Sequence, residues 1–211
     1  MPLRVRPVRR LSQLFVGLVL YGWSMAMLVR SQLGLDPWDV LHQGLANHLP
    51  FSFGQVTMGV GAVVLLLWIP LRHRPGVGTL PNVVLIGIAA DVGLAVIPLA
   101  DGSIERIALL VGGVVANGLA GALYVGARLG TGPRDGLWVA LSARTGLSIR
   151  LVRTAIELTV LGTGWLLGGV VGIGTLLYAL AIGPLVQLFL PWVQVPLPEP
   201  DAAPELVEAA C

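Results

Sequence analysis

Apolar residues run in six long stretches along the chain, near 12–31, 52–71, 79–99, 106–127, 149–168 and 173–193. Each is close to the roughly 20 helical residues that cross a bilayer core about 30 Å thick. Two shorter segments, near 36–49 and 132–145, open with Asp36-Pro37 and Gly132-Pro133. As helices these would reach only about 20 Å at about 1.5 Å per residue, too short to span. The pattern predicts an all-α polytopic membrane protein of six transmembrane helices with two short re-entrant or interfacial helices.

The six stretches fall into two similar halves. A shift of 96 places Leu33-Gly34-Leu35-Asp36-Pro37-Trp38-Asp39-Val40-Leu41 on Leu129-Gly130-Thr131-Gly132-Pro133-Arg134-Asp135-Gly136-Leu137. At the same offset Gly76-Val77-Gly78-Thr79-Leu80 falls on Gly172-Ile173-Gly174-Thr175-Leu176, Ser52 on Ser148 and Gly87 on Gly183. From Leu14 to Ile97 the ungapped match gives 24 identities. Apolar bias aligns Leu with Leu, but not Pro, Asp, Thr and Gly together, so the chain is read as a duplication. The first repeat covers 12–99 and the second 106–193, between a basic N-terminus (1–11) and an acidic, Pro-rich tail (195–211) expected to be disordered. Three crossings per repeat is an odd number, so the second copy is expected to lie upside down. Such inverted repeats are common in secondary transporters, with a site where the halves meet.

Composition narrows the class. Only 11% of the 211 residues are charged and mean hydropathy is +0.85, against about 25% charged in soluble domains. That is too little polar surface for a water-soluble globule. The formal net charge of +2 gives no footprint for nucleic acid. Arg4, Arg6, Arg9 and Arg10 precede the first stretch and predict a cytoplasmic N-terminus. With six spans, Arg72, Arg74, Arg128, Arg134 and Arg144 also fall inside, leaving Arg30 and Arg106 outside; both termini are then cytoplasmic. Arg9-Arg10 before an apolar run loosely matches an export signal, but the duplicated partner of that run marks it as an uncleaved span. The single cysteine, Cys211, builds no disulfide or zinc site.

In Leu33–Leu41 with its copy, and in the Gly-x-Gly-Thr-Leu elements, the chain resembles the YczE/YitT family of bacterial membrane proteins, over most of residues 12–193. The resemblance implies a polytopic plasma-membrane protein whose molecular function is poorly defined. No soluble C-terminal domain follows, which points to the shorter YczE-like branch.

The candidate chemistry is sparse. Asp36 fits an N-cap, Pro37 a first helical position and Asp39 the third, with Gly132, Pro133 and Asp135 in the copy. These aspartates either only cap short helices or, where those helices dip into the membrane, line a pathway for a cation, proton or zwitterion. Asp91, expected near the middle of the third span, and Asn82 are further candidate pathway residues. Gly22/Ala26 and Gly118/Ala122 are small-xxx-small pairs expected to pack the first span against the fourth. Arg153 and Glu157 are spaced to pair on one helix face. Gly76, Gly78, Gly172 and Gly174 are expected to make tight turns. His42 and His48 share no helix face, so no metal site is expected, and no motif suggests a cofactor or an enzyme.

Two functional classes follow. One is a transporter- or permease-like protein for a small solute, needing a polar cavity between the repeats. The other is a non-transporting membrane scaffold or accessory factor, needing packing surfaces and a filled core. A third, an intramembrane aspartyl hydrolase, would need Asp39 and Asp135 close enough to share a proton. The lipid bilayer is the expected environment, and self-association is left open.

Overall fold

The computed structural model describes residues 6–196, all of whose regular structure is helical. The helices are α1 (Pro7–Ser31), α2 (Pro37–Ala46), α3 (Phe53–Leu71), α4 (Thr79–Val96), α5 (Ser103–Gly126), α6 (Pro133–Thr145), α7 (Ile149–Leu166) and α8 (Ile173–Val193). Five of them, α1, α3, α4, α5 and α8, are long and apolar enough to cross a membrane. The expected span at 149–168 forms α7, as long as α4, but its Arg150, Arg153 and Glu157 set it apart from those five. Large apolar side chains such as Leu66, Ile69, Ile104, Leu166 and Trp192 lie exposed on the outer surface, where water would reject them and lipid would not.

Local chemistry fixes the boundaries, and much of it is duplicated. Pro37 and Pro133 occupy the first turns of α2 and α6, where a missing N–H costs nothing. The Ser52 hydroxyl accepts from the Gln55 N–H at 3.1 Å, and the Gln55 side chain accepts from the Ser52 N–H at 3.0 Å. Its counterpart Ser148 accepts from the Leu151 N–H at 3.3 Å. Past α1 and α5 the chain turns through left-handed backbone at Gln32 and Arg128, and again at Gly34 and Gly130. α1 starts at Pro7, earlier than the expected 12, so Arg9 and Arg10 of the basic N-terminus are helical. Arg10 there is buried and donates from Nε to the Ala127 carbonyl (2.9 Å) and from Nη2 to the Arg128 carbonyl (2.8 Å), satisfying the exposed end of α5.

The packing follows the duplication. α1 lies along its own counterpart α5, and the contacts pair low with high numbers. Gln13 donates to the Leu123 carbonyl (2.8 Å), Gly17 abuts Ala120 and Tyr124, Asn117 donates to Ser24 (2.8 Å), and Gly113 abuts Leu28. The two helices therefore run antiparallel. Gly17 and Gly113 are themselves counterparts, and each is the small residue that admits the other helix. Two backbone bonds are likewise reciprocal: Gly78 N–H to the Leu129 carbonyl (2.9 Å) and Gly174 N–H to the Leu33 carbonyl (2.7 Å). Both bonds tie the start of a long helix of one half to the turn after the first helix of the other. A Cβ at Gly76 would lie 2.6 Å from the Gly130 Cα, and one at Gly172 would lie 2.4 Å from the Leu33 carbonyl oxygen, which is why both are glycine.

Three expectations need correction. Gly22 and Ala26 do not join α1 to α5: Gly22 abuts Ala89 and Ala90, and Ala26 abuts Gly93, all on α4. Gly118 likewise meets Leu185 of α8. Ala122, fully buried on α5, is the remaining member of those pairs. The small residues thus seat the first span of each repeat on the third span of the same repeat. Third, Val195 belongs to the fold rather than to the tail, being buried with its N–H on the Gly126 carbonyl (3.1 Å). The rest of the expected tail, 197–211, lies outside the described residues.

Candidate functional site

α2 and α6 are the short helices, and their N-termini meet near the middle of the bundle. The Asp36 carboxylate caps α2 by accepting from the Asp39 N–H at 2.7 Å. Asp39 turns away from the helix end toward two cationic or donor groups. Its Oδ1 lies 3.2 Å from His42 Nδ1 and 3.3 Å from Arg134 Nη2, while its Oδ2 is buried with no hydrogen-bond partner among the described residues. Arg134 Nη1 lies 3.4 Å from Asp36 Oδ2. Arg134 belongs to α6, so this guanidinium joins the two halves. It also stands 5.2 Å from the Trp38 ring centroid. Trp38 and Arg134 are counterparts under the 96-residue shift.

Burial pushes the Asp39 carboxyl up to about 6, with the Arg134 guanidinium pulling it back. Burial also holds the His42 imidazole well below its ordinary range, reinforced by Arg134. His42 is therefore neutral. The Thr57 hydroxyl donates to the Phe53 carbonyl (2.9 Å), so its oxygen is left to accept from His42 Nδ1 at 3.2 Å. The result is a continuous chain of contacts, Arg134–Asp39–His42–Thr57, with Asp39 and His42 at its buried centre.

Asp135, the counterpart of Asp39, has a different setting. Its carboxylate accepts from the Tyr124 hydroxyl, and among the described residues no Arg or His nitrogen lies within 4 Å of it. Burial raises its pKa, opposed by the Tyr124 hydrogen bond. Asp39 and Asp135 thus have separate partners. One carboxylate is neutralised by a guanidinium across the interface and the other is not.

These groups surround a cavity of about 700 Å³ to which all eight helices contribute. Asp36, Asn82, Arg134 and Asp135 face it, together with Arg153 and Glu157, which pair at 2.8 Å as their spacing predicts. Asp39 does not line it; the carboxylate sits behind Arg134, fully buried. Asp91 does not line it either. It lies in the C-terminal part of α4 rather than at mid-span, because α4 ends at Val96. There it accepts from the Ser52 hydroxyl and from the Gly54 N–H (2.7 Å), capping the start of α3. A carboxylate at a helix N-terminus satisfies amides that would otherwise be orphaned.

The sequence reading missed Arg134, Tyr124, Tyr21, Asn117 and Tyr178 as cavity residues. Tyr178 donates to Asn117 Oδ1 at 2.9 Å, and Asn117 in turn donates to Ser24. A signal was present in the 96-residue shift. Tyr21 pairs with Asn117 and Asn82 with Tyr178, so the same two polar side chains are exchanged between corresponding positions.

The seams beside the cavity differ between the halves. α3 and α4 pack closely: a Cβ at Gly54 would lie 2.0 Å from the Gly87 carbonyl oxygen, and Gly61 abuts Val83. In the other half α7 and α8 hardly touch. The counterparts there are Arg150 for Gly54 and Glu157 for Gly61, and a Cβ at Gly183, counterpart of Gly87, meets nothing within 4 Å. Replacing two contact glycines by long charged residues opens that seam.

A family of unknown function (DUF6198) matches residues 8–191. An uncharacterized protein of Haemophilus influenzae is 38% identical over 182 residues, 86% of this chain and 84% of its own. The uncharacterized membrane protein YczE of Bacillus subtilis is 33% identical over 186 residues, 87% of this chain and 86% of its own. The uncharacterized protein YyaS of the same organism is 25% identical over 183 residues, 85% of this chain and 91% of its own. No solved structure matches the chain.

Proposed function

The chain belongs to the family of unknown function DUF6198 and is a membrane protein, and from that premise we propose that it binds a small solute between two inverted halves and passes it across the membrane. In this reading α7 is the sixth span, each half contributes three crossings, and both termini face the cytoplasm of a bacterial plasma membrane. The antiparallel packing of α1 on α5 and the reciprocal Gly78–Leu129 and Gly174–Leu33 bonds support the inversion. The inside excess of arginine supports the orientation.

The observation that carries the functional reading is the cavity. At about 700 Å³ it falls within the roughly 300–1,000 Å³ typical of small-molecule sites, and both halves line it, the first with Asp36 and the second with charges of both signs. A scaffold with no ligand would gain stability by filling that space. Under the proposed topology the α7/α8 seam opens toward the cytoplasm while the α3/α4 seam is shut on the outer side, an arrangement open to one face. The solute is a cation or a zwitterion rather than a simple anion, because the Asp135 carboxylate faces the space with no Arg or His nitrogen within 4 Å among the described residues, while Arg134 and Arg153 are each engaged by a carboxylate.

The test is a thermal-stabilisation screen of the detergent-purified protein against a metabolite panel, followed by uptake into proteoliposomes of whatever stabilises it. A true ligand at about 100 times its Kd should add about 2.7 kcal/mol. A panel that never moves the melting temperature would return the protein to the scaffold class.

A further inference from the structure

We infer that the cavity takes an amino-acid-like zwitterion with an apolar body, its ammonium on Asp135 and its carboxylate on Arg153. The inference rests on the reading of the cavity as a solute site and specifies what enters it.

The charges facing the cavity differ in how far they are already engaged. Arg134 is shared by Asp36 and Asp39 at 3.4 and 3.3 Å, and so contributes a closed group. Asp135 has Tyr124 as a donor and no cationic partner among the described residues. A carboxylate has about four acceptor sites, so most of its capacity is unspent. Arg153 donates its Nε to Glu157, while its two terminal nitrogens make no hydrogen bond among the described residues and the side chain is half exposed. Those two nitrogens form the fork that grips a carboxylate in bidentate fashion.

The two groups stand side by side. Asp135 and Trp138 are three residues apart on α6, so they share a helix face with Cβ atoms about 5–6 Å apart. The Arg153 guanidinium lies 5.0 Å from the Trp138 ring centroid. Trp138 therefore serves as a platform that holds the cation beside the carboxylate. None of this is repeated in the first half. Thr57 and Gly61 stand where Arg153 and Glu157 do, and Leu28 where Tyr124 does.

Charge balance excludes the simpler ligands. Asp36, Asp135 and Glu157 face the cavity, and so do Arg128, Arg134 and Arg153. A bare cation would meet three guanidinium groups, and a bare anion three carboxylates. A molecule carrying both signs a few ångströms apart meets each with its opposite. Much of the remaining wall is apolar or aromatic, with Val64, Ile86, Val125 and Tyr21 among its residues, and accommodates a hydrophobic side chain.

Binding of L-leucine and L-phenylalanine to the detergent-purified full chain, measured by calorimetry, tests this directly. Each is compared with its amide, which keeps only the ammonium, and its N-acetyl form, which keeps only the carboxylate. The free amino acids should bind at least about 10-fold more tightly than either blocked form, since each blocked form forfeits a charge-assisted hydrogen bond. Asp135→Asn and Arg153→Gln should each weaken the free amino acids by about 10- to 100-fold. Asp135→Glu and Arg153→Lys, which keep the charge, should retain measurable binding and so separate ligand loss from misfolding. Amides that bind as well as the free amino acids, or variants that bind undiminished, would overturn the inference. So would silence of both amino acids. In that case a hit elsewhere in the metabolite panel of the thermal screen would leave the broader solute reading standing, and a panel that never moves the melting temperature would remove it too.

Discussion

Replacing Arg134 with methionine removes a cation from the interface of the two halves while keeping much of the side chain's length. Asp36 and Asp39, 3% and 0% exposed, would then face each other with no counter-charge, and Trp38 would lose the group stacked on it. Breaking a buried ion pair from one side costs about 3–5 kcal/mol, because the orphaned charge stays buried. At about 2–4 °C per kcal/mol for a chain of this size, the melting temperature should fall by roughly 6–20 °C. The loss should also depend on pH. Burial already raises Asp39 to about 6 with Arg134 present, and without the guanidinium the folded state favours its protonated form still more. Stability bound to a raised pKa is present at low pH and lost as pH rises through the folded-state value. The deficit of the variant should therefore shrink between pH 7 and pH 5. Adding Asp39→Asn to Arg134→Met should recover part of the loss, and a double-mutant cycle isolates the coupling. The assay is a melting curve followed by size-exclusion in detergent. If Arg134→Met melts within a degree or two of the parent at pH 7, or the added Asp39→Asn deepens the loss, the guanidinium does not balance these carboxylates.

Three further outcomes are expected. Gly54→Val and Gly87→Val should be severely destabilising, since their Cβ atoms would sit 2.0 and 2.5 Å from opposing carbonyl oxygens; Gly183→Ala, in open space, should stay within about 0.5 kcal/mol of the parent by the same melting assay. Asp91→Ala should lower stability by about 0.5–2 kcal/mol through loss of the α3 cap, without weakening any ligand that Asp135→Asn abolishes, which a parallel binding titration would show. In a Cys211→Ser background, His73→Cys should react with a membrane-impermeant maleimide only from the cytoplasmic face; labelling from outside would contradict the inverted topology.

The duplication was legible because turns and caps are local. Pro37/Pro133, Ser52/Ser148, Gly34/Gly130 and the Gly-x-Gly-Thr elements do the same work in both halves, and one 96-residue shift finds them all. What escaped was which faces meet. A small-xxx-small pair signals a close approach but not the helix that approaches: Gly22 and Gly118 face α4 and α8, and the α1–α5 contact expected of them is made instead at Gly17 and Gly113. Asp91 was misread for a related reason. Its function depends on where α3 begins beside it, a tertiary fact that an apolar window does not encode. Arg10 was counted as a topology signal, yet it also closes the end of a helix more than a hundred residues away.

Departures from the repeat were the harder and more informative signal. Asp39 and Asp135 are identical residues at corresponding positions, but their surroundings differ because Trp38 is matched by Arg134 and Leu28 by Tyr124. The guanidinium from the second half silences the carboxylate of the first, while the second carboxylate receives only a hydroxyl. A symmetric pair of bare carboxylates would repel each other across the axis and offer the same site twice. Exchanging one aromatic for one arginine instead yields a single locked interface and a single open site. The same logic governs the seams, where Gly54 and Gly61 close one half and Arg150 and Glu157 part the other. In a doubled chain, residues that stay alike hold the scaffold, because each copy needs the same turn. Residues that diverge set which carboxylate meets a guanidinium and which seam is tightly packed, because each of those contacts is made in one half alone.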